Sequence, residues 1–89
     1  MYRVDLSSRA QRELHEIRGK EFERIVIALR GLRNNPRPLG VVKLKGPIHR
    51  IRVGYWRIIY AVFDKDNLVI VGKIARRSEK TYNKLDGLF

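Results

Sequence analysis

The stretch that decides the fold is "HRIRVGYWRIIY", residues 49–60, in which arginines alternate with apolar residues on both sides of a glycine. Alternation of apolar and polar residues with a period of two is typical of a strand that is buried on one face. Two antiparallel strands can be joined by a loop of only two residues. The stretch therefore predicts a β-hairpin whose loop residues are Gly54 and Tyr55.

This turn also predicts the register of the hairpin. With a two-residue loop, Arg52 faces Arg57 across the ladder, and Arg50 lies on the same face. The opposite face, which helices would cover, receives the core positions Ile51, Val53, Trp56 and Ile58. Two arginines placed opposite each other repel by about 0.2–1 kcal/mol, so stability alone does not explain them. A phosphate between the two guanidinium groups would reverse the sign, whereas the alternative is pairing with acids of the same chain.

Further elements precede and follow the hairpin. "YRVDL" (residues 2–6) predicts an edge strand, and "SSRAQRELHEIR" (7–18) predicts a helix with Ser8 as N-cap and Gln11 completing a capping box. "KEFERIVIALRGLRNN" (20–35) predicts a second helix, which "NNPRPLG" (34–40) ends. "VVKLKG" (41–46) is ambiguous, and "LVIVGKIA" (68–75) predicts another strand. We therefore expect one α+β domain over residues 1–89, in the order β-α-α-β-β-β, with a helical hairpin on an antiparallel sheet and a short C-terminal segment.

The charge balance points to a polyanionic partner. The 89 residues contain 20 Lys and Arg against 9 Asp and Glu, a formal net charge of +11. Such a density favours nucleic acid, an acidic protein or an anionic membrane, while a basic surface that only keeps the chain in solution is the plainer alternative.

Cysteine and histidine usage narrows the class of site. The chain has no cysteine and two histidines, so disulfides and thiolate metal sites are excluded and a structural zinc site is not expected. We predict no cofactor and no metal. The N-terminus lacks an apolar signal core, and the longest apolar run, residues 58–63, is far too short to span a membrane. A cytoplasmic protein without a membrane partner is expected.

Several stretches together resemble a known family. "NPRPLGVVKLKG" (35–46), "HRIRVGYWRIIYAV" (49–62) and "ARRSEKTY" (75–82), preceded by a helical hairpin, are similar to the RelE/ParE superfamily of toxins from type II toxin-antitoxin modules. The resemblance implies an acidic antitoxin as partner and two branches of activity. RelE-like toxins enter the ribosomal A site and cut mRNA, whereas ParE-like toxins share the fold but poison DNA gyrase.

The site residues discriminate between these branches. RelE-like enzymes cut with basic residues on the hairpin, an arginine after its turn, an arginine on the last strand and a following tyrosine. The resemblance therefore implies a RelE-like toxin whose catalytic residues are Arg52, Arg57, Arg76 and Tyr82. It also implies RNA contacts from Lys43, Lys45, Arg50, Lys73 and Arg77. We expect the three catalytic guanidinium groups to meet on one side of the protein, near Tyr82.

The chemistry expected from these residues is RNA cleavage without a metal, in which the 2′-hydroxyl attacks the adjacent phosphate and expels the 5′-oxygen. Several RelE-like enzymes carry lysines where this chain has Arg50 and Arg52, and arginine does not release a proton at neutral pH. Lys45 and His49 are the candidate bases. The leading hypothesis is a ribosome-dependent endoribonuclease acting on mRNA. A gyrase poison and a nucleic-acid-binding module without chemistry are the alternatives.

Overall fold

The computed structural model describes residues 1–76 and Phe89, and these residues contain two α-helices and five strands. The first strand, β1, is Arg3–Leu6, and the helices are α1, Ser8–His15, and α2, Gly19–Gly31. The remaining strands follow in sequence, with a 3₁₀ turn at Asp64–Asp66 before the last: β2, Val42–Lys45; β3, Ile48–Val53; β4, Trp56–Phe63; and β5, Leu68–Arg76. The predicted α+β fold is confirmed, and the ambiguous segment "VVKLKG" contains a strand.

The strands form a single sheet in the order β1-β5-β4-β3-β2. β1 lies at one edge, as predicted, but it pairs with β5 in parallel, so the sheet is mixed and not wholly antiparallel. Parallel neighbours need a crossover connection, and here both helices and three strands lie between them in sequence. The alternation in residues 2–6 predicts a strand, but it does not specify the direction of that strand relative to its partner. The paired residues are 65 positions apart in the chain, as Arg3 and Leu68 are.

The N-cap of the first helix lies one residue earlier than predicted. Ser7, not Ser8, is the N-cap, and its hydroxyl accepts a hydrogen bond from the Ala10 amide at 3.1 Å. Gln11 does not complete a capping box, because its side-chain amide donates to the Leu6 carbonyl at 3.1 Å. Adjacent serines make this boundary ambiguous in the sequence, since either can satisfy the free amides of the first turn.

Helix α2 packs its apolar stripe against the sheet. Ile25, Leu29 and, just beyond the helix, Leu32 are buried, whereas Phe22, at the i−3 position from Ile25, is 38% exposed. The loop after α2 is fastened to the sheet by the buried Tyr60, whose hydroxyl donates to the Pro36 carbonyl at 2.7 Å. The helix ends at Gly31, before the predicted end at residue 35, and the Pro36 carbonyl anchors the loop that follows.

The core lies between the helices and one face of the sheet. It contains Ala10, Ile17, Ile25, Leu29 and Leu32 from the helical half and Ile51, Ile58, Tyr60, Val62, Val69, Val71 and Ile74 from the strands. The other face carries a smaller cluster of Ile48 and Ile59 with the partly buried Leu44. In the part of the chain that the structure describes, no helix is long and apolar enough to cross a membrane.

An irregularity in β5 changes which of its residues face the core. Ile59 pairs with Lys73 and the next residue, Tyr60, pairs with Val71, so Gly72 is the extra residue of a β-bulge. A bulge shifts the alternation of side chains by one position. Val69 and Val71 face the helices before it, and Ile74 faces them after it.

Candidate nucleic-acid interface

The β3–β4 hairpin places three arginines on the sheet face opposite the helices. The predicted register is confirmed residue by residue, with Val53 opposite Trp56, Arg52 opposite Arg57 and Arg50 opposite Ile59. Gly54, with φ of 60°, supplies the left-handed backbone conformation that the first loop position requires. The hairpin turn therefore aligns two guanidinium-bearing residues as a directly opposed cross-strand pair.

The surroundings of these arginines differ from those of ordinary surface charges. Arg52 is exposed, whereas Arg50 and Arg57 are half-buried and the Nε atoms of both are shielded from solvent. Ile48 and Ile59 lie on the same face and give it an apolar base against which the aliphatic stems can rest. We call Arg50, Arg52 and Arg57 the arginine face. It suits a phosphate, because guanidinium groups are planar, permanently charged and able to donate two parallel hydrogen bonds.

Arg76 does not join the arginine face, contrary to expectation. It lies on the last strand, as predicted, but it pairs with Trp56, and its guanidinium carbon lies 5.2 Å from the centre of the indole ring. Trp56 packs against the core on the helix side of the sheet. The bulge at Gly72 is the reason, because without this extra residue Arg76 would point to the other face.

Lys73 is committed to an internal ion pair. Its ammonium group lies 3.1 Å from Glu13 Oε2, and both side chains are largely buried, with 18% and 22% of their surface exposed. The other carboxylate oxygen, Oε1, accepts from the Ile74 backbone amide at 2.9 Å. Glu13 thus provides a hydrogen-bond acceptor for a backbone amide of β5 that lies beyond the end of β1, and Lys73 balances the charge of the carboxylate.

The lysines of β2 are divided between the two faces. Lys43 pairs with His49, whose side chain is on the helix side, and Lys45 pairs with Ile48 across an irregularity in the ladder. Only Lys45 therefore shares a face with the arginines by register. Arg77 and Tyr82, two further predicted site residues, lie outside the described residues.

His49 is a packed core histidine in this structure. It is 4% exposed, its ring lies nearly parallel to that of Tyr60 with centroids 5.7 Å apart, and Nδ1 is 2.7 Å from the Pro47 carbonyl. Burial lowers the pKa of the imidazole, an effect opposed by its hydrogen bond to Pro47. The sheet separates it from the arginine face, so the structure does not bring this candidate base to the phosphate site.

A second cluster at the tip of the hairpin was missed by sequence reasoning. Trp56 Nε1 donates to Glu21 Oε2, which joins the hairpin to the first turn of α2. Beside this contact lies a pocket of about 360 Å³ between α2 and the hairpin tip. Its lining comes from the helix, with Glu21 and Arg24, and from the sheet side, with Val53, Gly54, Tyr55, Trp56 and Arg76. No spacing in the sequence predicts it, because its two halves are joined only by the packing of α2 on the hairpin.

Residues 1–76 and Phe89 contain no group of three or more His, Asp or Glu side chains placed to hold a metal ion.

Comparison with known proteins gives a consistent picture. A family model described as the ParE toxin of type II toxin-antitoxin systems (parDE) matches residues 4–81. A presumed toxin, RelE1, from Methanocaldococcus jannaschii is 27% identical over 81 residues, which are 85% of this chain and 90% of that protein.

Solved structures show the same fold. RelE in the archaeal RelE-RelB complex from Pyrococcus horikoshii superposes with a TM-score of 0.80 at 27% identity, over 88% of this chain and 97% of that one. A chain of the intact E. coli RelBE toxin-antitoxin complex gives a TM-score of 0.77 at 20% identity, over 89% and 100%.

Proposed function

Since the chain belongs to the ParE toxin family within the RelE/ParE superfamily and is a RelE-like toxin of a type II toxin-antitoxin system, we propose that it is a ribosome-dependent endoribonuclease acting on mRNA. The observation that carries this proposal is the arginine face. Arg52 and Arg57 oppose each other across the hairpin, with Arg50 on the same side, where one phosphate can contact more than one guanidinium group.

The reaction that this face supports is transesterification at phosphorus. The 2′-hydroxyl loses its proton and attacks the adjacent phosphorus, the bond to the 5′-oxygen breaks, and that oxygen takes up a proton. The products are a 2′,3′-cyclic phosphate and a 5′-hydroxyl. Negative charge accumulates on the phosphoryl oxygens in the transition state, and preorganised donors stabilise it most when they do not have to move. Arg52 and Arg57 are assigned this role.

The proposed catalytic set is narrower than the sequence suggested. Arg76 stacks over Trp56 on the other side of the sheet, so we do not include it among the groups that hold the scissile phosphate. Burial of His49 on the helix side argues equally against it as the base. Lys45, which shares the face of Ile48 by register, and Tyr82 are the groups that we propose as candidates for proton transfer.

The proposed partners follow from charge and from the neighbouring structures. The RelE chains similar to this one were solved with RelB antitoxin in Pyrococcus horikoshii and E. coli. A formal net charge of +11 suits an acidic antitoxin and also suits ribosomal RNA and mRNA. We propose that the antitoxin and the RNA compete for the basic surface, so the toxin would be inactive while its antitoxin is bound.

The direct test is to map new mRNA 5′ ends in a reconstituted translation system with the chain present. We expect ends that keep a fixed phase to the codon. Arg52→Ala and Arg57→Ala should each reduce cleavage by about a hundred- to a thousandfold, the usual cost of losing one preorganised donor. Lys65→Ala, which removes one positive charge from the exposed β4–β5 turn, is the matched control and should cleave normally.

Two outcomes would contradict the proposal. One is mRNA that remains intact on translating ribosomes, and the other is cleavage that Arg57→Ala leaves at the wild-type rate.

Two observations favour inhibition of DNA gyrase as the second candidate. The matching family model is that of ParE toxins, and Arg76 lies apart from the hairpin arginines. A toxin of this kind would block supercoiling by purified gyrase and leave mRNA uncut on the ribosome. Running both assays on the same preparation separates the two activities.

A further inference from the structure

The pocket at the hairpin tip has the features of a nucleobase site. We propose that it binds an unpaired purine base of the RNA next to the phosphate held by the arginine face. The inference rests on the proposed function in taking RNA as the ligand. It adds a subsite on the opposite side of the hairpin, built from residues that take no part in the proposed chemistry.

The pocket combines an aromatic wall with an apolar base. Tyr55 is 78% exposed at the outermost point of the hairpin turn, and Trp56 is half-buried beside it. Val53, directly opposite Trp56, completes the apolar surface. The volume of about 360 Å³ is ample for one base. Aromatic side chains beside positive charge are a common platform for single-stranded RNA, whose bases are free to stack.

Two contacts hold the Trp56 side of the aromatic wall. Trp56 donates its indole N–H to Glu21 on α2, and the Arg76 guanidinium lies over its ring at 5.2 Å. These two contacts fix the indole ring from its edge and from one face, so Trp56 does not have to be ordered when a ligand arrives. Preorganisation of this kind lowers the entropic cost of binding.

The polar groups of the pocket match the remaining parts of a nucleotide. Arg24 and Arg76 bring positive charge to the rim, where the backbone phosphates would pass. A carboxylate can accept about four hydrogen bonds, so Glu21 can accept from a base amino group while it also accepts from Trp56. Purines offer the larger stacking surface, which favours them over pyrimidines.

The two sites lie on consecutive cross-strand pairs of one hairpin. Arg52 and Arg57 form one pair on the open face, and Val53 and Trp56 form the next pair, on the helix side. An RNA strand that turns around the hairpin tip would therefore place a phosphate against the first pair and a neighbouring base against the second. The tip would thereby position the scissile phosphate by holding a neighbouring base that takes no part in the bond cleavage.

The chain provides its own probe for this site, because Trp56 is its only tryptophan. Fluorescence titrations with AMP, UMP and ribose 5-phosphate measure the affinity of each ligand through quenching of Trp56. AMP should bind most tightly and ribose 5-phosphate most weakly. Tyr55→Ala should weaken AMP binding about 5- to 100-fold, the usual worth of one base–aromatic stack, whereas Tyr55→Phe should stay within about twofold of wild type. Arg24→Ala should weaken AMP binding relative to wild type, and by more than the charge-matched control Lys65→Ala does.

Equal quenching by ribose 5-phosphate and AMP would overturn the inference, since it would show an anion site without base recognition. Wild-type affinity in Tyr55→Ala would overturn it as well. Tyr55 is exposed, so loss of folding does not confuse the result, and far-UV circular dichroism verifies this. The titrations involve no cleavage, so they test the pocket separately from the nuclease. If the chain binds AMP but leaves mRNA intact, the nuclease proposal fails and the pocket stands. If the chain cleaves mRNA but binds AMP and ribose 5-phosphate equally, the pocket proposal fails and the nuclease stands.

Discussion

At the scale of single residues, Asp64 is held by three hydrogen bonds at the end of β4 that is remote from the hairpin turn. Arg37 donates two hydrogen bonds to the Asp64 carboxylate, at 2.9 and 3.1 Å, and the Tyr2 hydroxyl donates to it at 2.6 Å. The hydrogen bonds from Arg37, and after them the one from Tyr2, lower the pKa of Asp64 to about 2. This three-way contact ties the N-terminus and the loop after α2 to the β4–β5 turn.

The Asp64 contact predicts a specific acid sensitivity. Because the folded pKa lies below the ordinary value, the stabilisation is fully present above about pH 4 and is lost as pH falls through about 2. Asp64→Asn should therefore lower the urea midpoint at pH 6, and its difference from wild type should narrow as pH approaches 2. Asp66→Asn, in the same turn, is the control because it leaves the Arg37 pair in place. A difference that stayed constant from pH 6 to 2 would disprove this linkage.

At the scale of elements, the start of α1 and the bulge in β5 form one structural unit. Ser7 Oγ accepts from the Ala10 amide at 3.1 Å and donates to the Gly72 carbonyl at 3.2 Å. The Ser7 amide also donates to the Val71 carbonyl at 2.9 Å. The cap of the helix thus contacts the extra residue whose presence turns Arg76 away from the arginine face.

This unit distinguishes the two adjacent serines. Ser7→Ala removes both the cap and the bond to Gly72, so it should lower the free energy of unfolding by about 1–2 kcal/mol. Ser8→Ala leaves both bonds intact and should change stability by less than about 0.5 kcal/mol. Urea denaturation of the two variants measures the difference, and equal effects would mean that the helix is not capped by Ser7.

Glu13 is predicted to protect the backbone amide of Ile74 in β5 from hydrogen exchange. Glu13→Ala removes the acceptor of the Ile74 amide and leaves the largely buried Lys73 without its counter-charge, at a cost of about 1–3 kcal/mol. Glu13→Gln keeps an acceptor for the amide and loses only the ion pair. Amide hydrogen exchange at Ile74 should be fastest in Glu13→Ala and intermediate in Glu13→Gln. Unchanged exchange in Glu13→Ala would show that this amide is protected by another group.

At the scale of the whole molecule, the net charge of +11 is not spread evenly over one surface. The arginine face is on one side of the sheet, Arg76 is on the other, and Lys73 is neutralised within the fold by Glu13. Net charge therefore predicts attraction to RNA but does not predict how many cations contact it.

Salt dependence measures that number of contacts. For single strands the slope of log K against log salt is about −0.7 for each phosphate contact, so three arginines give a slope of about −2. With a 2′-deoxy oligonucleotide, which the chain cannot cleave by 2′-hydroxyl attack, Arg52→Ala should reduce the magnitude of the slope by about 0.7. Lys65→Ala should leave it unchanged. Equal slopes for the two variants would argue against phosphate contact at the arginine face.

The sequence by itself determined the hairpin, its register and the arginine face. These features follow from local rules, namely a two-residue turn and a side-chain period of two, and such rules act between residues that are close in the chain. The strand at β1 is predictable for the same reason. Only the tertiary structure decided the parallel pairing of β1 with β5, the burial of His49 against Tyr60 and the position of Arg76.

These outcomes depend on contacts between residues that are distant in the sequence. A single extra residue at Gly72, docked on the Ser7 cap, reverses the alternation of the last strand and moves Arg76 to Trp56. The pattern "LVIVGKIAR" is compatible with either phase, because apolar residues occupy both faces of this strand, which lies between β1 and β4 in the sheet. The packing of α1 on β5 selects the phase, and with it the side of the sheet on which this cation acts.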